Sequence, residues 1–125
     1  MILGVGIDVV HVYRLKRWQD VPGLLERFFH HRELESALPR GEAGILSLAA
    51  RFAAKEAFGK AMGTGLHGFK LKEIIVLNDE QGKPAMHLFG KALAAFEELG
   101  GRKIFVSLSH ERDNALAMVV IEGET

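Results

Sequence analysis

Apolar positions near the amino terminus change their spacing, and this change predicts a strand followed by a helix. Residues 2–10 form a short, β-branched apolar run of the kind that fills a central strand. Val12, Leu15 and Trp18 then recur at near-helical spacing, with basic residues between them. We therefore expect a strand and then a short amphipathic helix with a basic face, which ends before Pro22.

The middle of the chain is predicted to be helical. Two short helices are expected over about 24–29 and 33–38. From 42 to 62 the chain lacks proline and is rich in alanine and leucine, and Gly63 follows as a helix stop. This segment is therefore predicted to form the longest helix of the protein.

The remaining residues are predicted to form mainly strands joined by tight turns. The expected elements are strands over 69–77 and 84–88, a helix over 90–99, and strands over 103–109 and 115–122. Hairpins of this kind favour an α+β class over a doubly wound parallel sheet. We expect residues 1–125 to form a single domain, in which a mostly antiparallel sheet packs against the long helix and several short helices.

Composition limits the partners of the chain. Sixteen basic residues balance sixteen acidic ones, so no net charge attracts nucleic acid or an anionic membrane. No apolar run approaches the roughly 20 residues that span a bilayer, and the absence of cysteine excludes disulfides and thiolate chemistry. We expect a cytoplasmic protein that binds neither nucleic acid nor a membrane.

Asp8 is a carboxylate inside an apolar strand. Ile7 and Val9 flank it, and a buried charge without a partner costs several kcal/mol. In one interpretation Asp8 is a metal ligand at the end of a strand, and in the other it caps the helix that follows. The pattern alone leaves both interpretations open.

The predicted long helix has two different faces. Its alanines gather within a narrow arc that suits close packing. The other half carries Arg51, Lys55, Glu56 and Lys60, with Gly59 between the cations. This half is either a solvated face, held by the Glu56–Lys60 pair, or a notch for a phosphate-bearing ligand. Glycine inside a helix costs about 1 kcal/mol relative to alanine, which favours a close neighbour or a ligand at this position.

His110 closes an apolar strand at the point where the strand turns polar, a position typical of a site residue. A structural hydrogen bond is nevertheless the commoner role of such a histidine. The tripeptide that starts at Gly63 resembles a phosphate loop, but it follows a helix instead of opening one and is not a Walker motif. The Gly-x-Ser-x-Gly elbow of serine hydrolases is absent.

Four motifs occur in order along nearly the whole chain. They are Gly6-Ile7-Asp8 with Arg14, the segment RFAAKEAF from Arg51 that continues to Gly65, Gly82-Lys83-Pro84, and the segment VSLSH that ends at His110. Together these motifs resemble the holo-acyl-carrier-protein synthases, a family of 4′-phosphopantetheinyl transferases. The resemblance implies the fold of that family. It also implies transfer of the 4′-phosphopantetheine group of coenzyme A to a serine of apo acyl carrier protein, in fatty acid biosynthesis, with release of adenosine 3′,5′-bisphosphate.

The same resemblance implies the residues of the site. Asp8 and Glu56 would be the carboxylate ligands of one Mg²⁺, an ion that commonly takes one or two protein carboxylates and completes its shell with phosphate and water. The proton of the carrier serine would pass to a water between Glu56 and the metal, with Asp8 and His110 as alternatives. The residues around the nucleotide would be Arg51, Lys55, Lys60, Gly63, Gly82, Lys83, Pro84 and His110.

The resemblance further implies two protein contacts. The carrier protein is acidic in this family, so Arg14, together with Lys16 and Arg17 on the same predicted helix, would form the docking face. The family is trimeric, with active sites shared between subunits. The sequence departs from its relatives at Gln81, where they commonly have asparagine, and this makes a type I′ turn doubtful.

Two alternative functions would use the same residues. The Asp8–Glu56 pair would also serve a metal-dependent phosphohydrolase that uses water as the acceptor. The basic half of the long helix would be sufficient for a non-catalytic oligomer that binds coenzyme A or another nucleotide.

Overall fold

The computed structural model describes residues 1–124, so Thr125, the last residue of the expected domain, lies outside the described residues. The elements in chain order are β1 (Ile2–His11), α1 (Val12–Gln19), α2 (Leu24–Phe28), α3 (His31–Ala37), α4 (Glu42–Met62), β2 (Ile74–Asn78), β3 (Pro84–Leu88), α5 (Gly90–Glu98), β4 (Gly101–His110) and β5 (Asn114–Gly123). Within residues 1–124, no helix has the length and apolarity that crossing a membrane requires.

The strands form two antiparallel sheets, and the predicted α+β class is confirmed. One sheet has the order β1-β5-β4, and β2 and β3 form a separate hairpin. The expected strand over 69–77 begins later than predicted, because a 3₁₀ turn at Leu71–Glu73 precedes β2. The Glu73 carboxylate accepts a hydrogen bond from the Lys70 backbone N–H over 2.7 Å, and this bond stabilises the turn.

Two glycines allow α4 to lie directly on β1. A Cβ atom at Gly4 or Gly6 would lie 1.9 Å from the carbonyl oxygen of Ala61 or Ala57, respectively. Such overlap is impossible, so this strand–helix contact requires glycine at both positions. Asp8 is the next residue in the same alternating row, and its side chain therefore points toward α4. The predicted alanine face of the long helix is confirmed by this contact.

Helix α4 is buried on almost all sides, which argues against the interpretation of its polar half as a solvated face. Fifteen of its 21 residues are buried, including Arg51 and Lys55. Gly59 does not line a ligand notch, because a Cβ atom there would lie 2.7 Å from the backbone of Gly65. The glycine therefore accommodates the returning chain, and the space considered for a phosphate is filled by protein.

The face of the three-stranded sheet opposite α4 is apolar and open. Val5, Ile7 and Val9 on β1 are 55%, 51% and 56% exposed, and Phe105 and Met118 on the neighbouring strands are 48% and 40% exposed. We call these five residues the open sheet face. An exposed apolar surface of this kind is typical of an interaction site.

Candidate functional site

Asp8 and Lys60 form one part of the candidate site, at the contact between β1 and α4. The Lys60 Nζ donates to Oδ1 of Asp8 over 3.0 Å and to the Ile7 carbonyl over 2.9 Å. Asp8 is one-fifth exposed and Lys60 about half exposed. The alternative role of Asp8 as a helix cap is wrong, because α1 has no side-chain cap at its amino-terminal end.

Glu56 lies close enough to Asp8 for the two charges to interact. Burial raises the pKa of the Glu56 carboxyl and the charge of Asp8 raises it further, whereas Arg14 and Lys60 lower it. The carboxylates of Asp8 and Glu56 thus share one partly buried site, and the charges of Arg14 and Lys60 also act on it. Repulsion between the two carboxylates is the condition that a bound divalent cation relieves.

The donor set of this place suits magnesium. Among residues 1–124, no group of three or more histidine, cysteine, aspartate or glutamate side chains forms a metal-binding cluster. Mg²⁺ does not need such a cluster, since it is usually bound by one or two carboxylates plus phosphates and water. The Asp8–Glu56 pair therefore fits this ion better than it fits zinc, which needs three or four protein ligands.

A cavity of about 510 Å³ forms the second part of the candidate site. It lies between α4, the β2–β3 hairpin and the end of β4. Five residues predicted to surround the nucleotide line it: Arg51, Gly82, Lys83, Pro84 and His110. Sequence reasoning did not identify Arg40, Ser47 and Asn78, which line the same cavity. The cavity thus combines several cations with an apolar wall, a composition that suits a nucleotide phosphate beside a base.

Lys55 lies outside this cavity, which corrects its predicted role beside a phosphate. Its side chain is fully buried. The Nζ donates to Oε1 of Glu33 over 2.7 Å, to the Leu71 carbonyl over 2.9 Å and to the Ile74 carbonyl. An ammonium group has three N–H donors, and these contacts use all three. Lys55 is therefore part of the protein core.

Glu33 is the partner of Lys55, and sequence reasoning treated it only as part of a short helix. Its carboxylate is fully buried and also accepts hydrogen bonds from the His30 and Val76 backbone N–H groups. The Glu33 carbonyl accepts a bond from Arg51 over 3.1 Å. The one local signal was the capping-box spacing from His30 to Glu33, which marks the start of α3.

The predicted loop glycines lie at two turns. Gly63 ends α4 with φ of +81°, so the simple helix stop is its role in the fold. Gly82 has φ of +84° in the loop between β2 and β3. Asp79 holds that loop, because its Oδ1 accepts bonds from the backbone N–H groups of Gln81 and Lys83, each over 2.9 Å. This longer loop replaces a two-residue type I′ turn.

The predicted docking residues Arg14, Lys16 and Arg17 form an exposed basic face on α1. The Arg14 guanidinium lies 5.1 Å from the centre of the Trp18 ring and 5.4 Å from that of Phe52. Its charge also lowers the pKa of Glu56. Arg14 therefore joins the basic face of α1 to the carboxylate pair.

The structure separates His110 from the carboxylate pair of the same chain. Asp8 lies opposite Ala117 of β5, and Ala117 lies opposite Leu108 of β4. Since neighbouring strands are about 4.8 Å apart, the backbone of His110 is roughly 10 Å or more from that of Asp8. His110 belongs with the cavity, and Asp8, Glu56 and Lys60 form a separate group.

Comparison with known proteins places the chain in a well-populated group. The family model of the 4'-phosphopantetheinyl transferase superfamily matches residues 4–119. The holo-[acyl-carrier-protein] synthase of Treponema denticola is 56% identical over 123 residues, which cover 98% of this chain and 100% of that protein.

Solved structures agree over the whole length. The holo-[acyl-carrier-protein] synthase of Neisseria meningitidis has a TM-score of 0.86 at 38% identity, and the match covers 98% of this chain and 99% of that one. The synthase of Bacillus anthracis, solved in complex with CoA (3',5'-ADP), has a TM-score of 0.82 at 33% identity and 99% coverage of both chains. Both matches therefore extend over nearly the whole of this chain.

Proposed function

Because the chain belongs to the 4′-phosphopantetheinyl transferase superfamily, we propose that it is a magnesium-dependent holo-acyl-carrier-protein synthase. Its substrates are coenzyme A and an apo acyl carrier protein. The serine hydroxyl of the carrier attacks the phosphorus that bears the pantetheine arm. The bond from this phosphorus to the diphosphate bridging oxygen breaks, adenosine 3′,5′-bisphosphate leaves, and the serine proton passes to a base.

The observation that carries this proposal is the Asp8–Glu56 pair, two carboxylates at one place with a raised pKa at Glu56. Asp8 and Glu56 would hold Mg²⁺, which would neutralise the negative charge of the diphosphate. We expect the serine proton to pass to Glu56 through a water held beside its carboxylate. His110 is the alternative base, reached from a neighbouring subunit.

The basic residues of the cavity would bind the nucleotide end of coenzyme A. Arg51, Lys83 and His110 present cationic or hydrogen-bonding groups to it. Lys60 would meet the diphosphate, since it lies beside Asp8. Gly63, Gly82 and Pro84 would shape the adjoining loops.

The basic face of α1 would bind the carrier protein. Arg14, Lys16 and Arg17 are exposed on one short helix, and the remainder of the chain has no net excess of positive charge to attract an acidic partner. Because Arg14 also interacts with Glu56, a carrier bound at this face would bring its serine toward the carboxylate pair.

A homotrimer with shared active sites accounts for two further features. The open sheet face would be buried between subunits. The distance between His110 and Asp8 within one subunit would be closed by pairing the cavity of one subunit with the carboxylates of its neighbour. We propose that this assembly acts in the cytoplasm, in fatty acid biosynthesis.

The oligomeric state is tested by measuring the mass of the protein by light scattering as it elutes from a size-exclusion column. Wild-type protein should have three times the chain mass, and Ile7→Asp on the open sheet face should shift it to the monomer mass. A wild-type monomer at micromolar concentration would contradict the shared site.

The reaction is tested by measuring adenosine 3′,5′-bisphosphate with and without apo carrier protein. The proposal requires both Mg²⁺ and carrier for its release. Release without carrier would favour a phosphohydrolase. Tight coenzyme A binding without any release, insensitive to Mg²⁺ and to Glu56→Gln, would favour a non-catalytic binding protein.

A further inference from the structure

Glu33 connects three elements through a single buried side chain. Its Oε1 accepts bonds from Lys55 of α4 and from the His30 N–H at the start of α3, over 2.7 and 3.0 Å. Its Oε2 accepts a bond from the Val76 N–H of β2 over 3.1 Å. Both carboxylate oxygens are used, and each bond reaches a different part of the chain.

Glu33 also holds in place two opposite walls of the cavity, one formed by α4 and the other by the β2–β3 hairpin. The Glu33 carbonyl accepts a bond from Arg51, and Arg51 also donates to the Ser36 hydroxyl over 3.3 Å. On the opposite side, the bond to Val76 and the Lys55 bond to Ile74 anchor β2. The β2–β3 hairpin carries Lys83 at its turn, so the spacing between two basic groups of the cavity depends on Glu33.

We propose that Glu33 is a positioning residue for coenzyme A, which sets the distance between Arg51 on α4 and Lys83 on the hairpin. This inference rests on the proposed binding of coenzyme A in the cavity. Glu33 is fully buried, so it acts through these two residues and has no contact with the nucleotide. The carboxylate pair is held separately, by the contacts of Gly4 and Gly6 with α4.

Replacement of Glu33 by glutamine tests the inference with little change in shape. An amide has one accepting oxygen and places an NH₂ group where Lys55 or Val76 donates, so one connection breaks. We expect the Kd and KM for coenzyme A to rise about tenfold, while kcat falls less than about threefold. Calorimetric titration with coenzyme A and steady-state kinetics measure this split, and circular dichroism monitors folding.

Two further variants distinguish positioning from stability. Ile121→Ala removes a fully buried side chain of the three-stranded sheet, near the end opposite to His110. It should lower the melting temperature without changing the Kd for coenzyme A. The double variant Glu33→Gln/Lys55→Met also removes the buried ammonium group that Glu33 neutralises, so it keeps the test decisive if the single variant does not fold. We expect its Kd to rise as in the single variant.

An unchanged Kd in either folded Glu33 variant would overturn the inference, as would a loss in kcat alone. A loss of coenzyme A affinity in Ile121→Ala equal to that in the Glu33 variants would also overturn the inference, because the loss of affinity would then follow from lower stability. If wild-type protein fails to bind coenzyme A, the proposed function fails before any variant is compared.

Discussion

Lys60 donates a hydrogen bond from its Nζ to Oδ1 of Asp8 over 3.0 Å, so a side-chain cation lies against one of the two carboxylates that we assign to the metal. A divalent cation at Asp8 has to compete with this ammonium group. Lys60→Met should therefore raise the affinity for Mn²⁺, a probe for Mg²⁺, about twofold to fivefold in the absence of coenzyme A, as expected for a partly exposed ion pair.

The measurement is titration of Mn²⁺ by electron paramagnetic resonance. Lys72→Met, an exposed lysine of the 3₁₀ turn before β2, serves as the matched control and should leave the affinity unchanged. Equal or weaker Mn²⁺ binding in Lys60→Met would show that Lys60 does not compete for the site.

Glu56→Gln should abolish transfer without unfolding the protein. Loss of a general base costs about two to four orders of magnitude in rate. Because burial and the charge of Asp8 raise the pKa of Glu56, its ionised form is less favourable in the folded than in the unfolded chain at neutral pH. The variant should therefore melt at the same or a higher temperature at pH 7 in EDTA. Glu42→Gln, in the first turn of the same helix, should change neither quantity.

Arg14→Ala should weaken carrier binding and leave coenzyme A binding intact. An exposed charge at the edge of an interface mainly affects association and its salt dependence. We expect the KM for the carrier to rise about threefold to tenfold, equivalent to roughly 0.7–1.4 kcal/mol, with a smaller dependence on salt. Arg102→Ala, a surface arginine of β4 paired with Glu124, is the control. Weaker coenzyme A binding in Arg14→Ala would show that α1 is not the docking face.

Glu73 should make stability depend on pH in the acid range. Its pKa is lowered by hydrogen bonds from the backbone N–H groups of Lys70 and Lys91. A group with a lowered pKa stabilises the fold above its ordinary value of 4.5, and this contribution is lost as the pH falls through the folded value.

Glu73→Gln should accordingly reduce the free energy of unfolding by about 0.5–1 kcal/mol at pH 7, the contribution of a typical hydrogen bond. The difference from wild type should shrink at acid pH. Urea denaturation at several pH values measures it, with Glu80→Gln in the β2–β3 loop as the control. If the difference in unfolding free energy between wild type and Glu73→Gln stayed the same at low pH, the ionised Glu73 carboxylate would not be its source.

Local sequence patterns predicted the parts of the structure that depend on local spacing. The apolar run over residues 2–10 predicted the first strand, and the alanine arc of the long helix predicted the surface that packs on Gly4 and Gly6. The glycine stop at 63 and the later hairpins followed from turn chemistry in the same way.

Long-range burial could not be predicted from local patterns. The buried charge of Lys55 is neutralised by Glu33, 22 positions earlier. A helix pattern carries no information about such a partner on another element. The same limit applies to Gly59, whose space is taken by the backbone of Gly65. The division of the strands into two sheets could not be predicted either, because alternation defines the faces of a strand but not its neighbours.

Intact-mass spectrometry of an apo carrier protein incubated with coenzyme A tests the central claim most directly. We predict that the carrier gains the mass of one phosphopantetheine arm when Mg²⁺ is present, and that the gain disappears in EDTA or with Asp8→Asn. No gain with any of several carriers, or a gain that persists in EDTA and in Asp8→Asn, would contradict transfer at a magnesium site formed by Asp8 and Glu56.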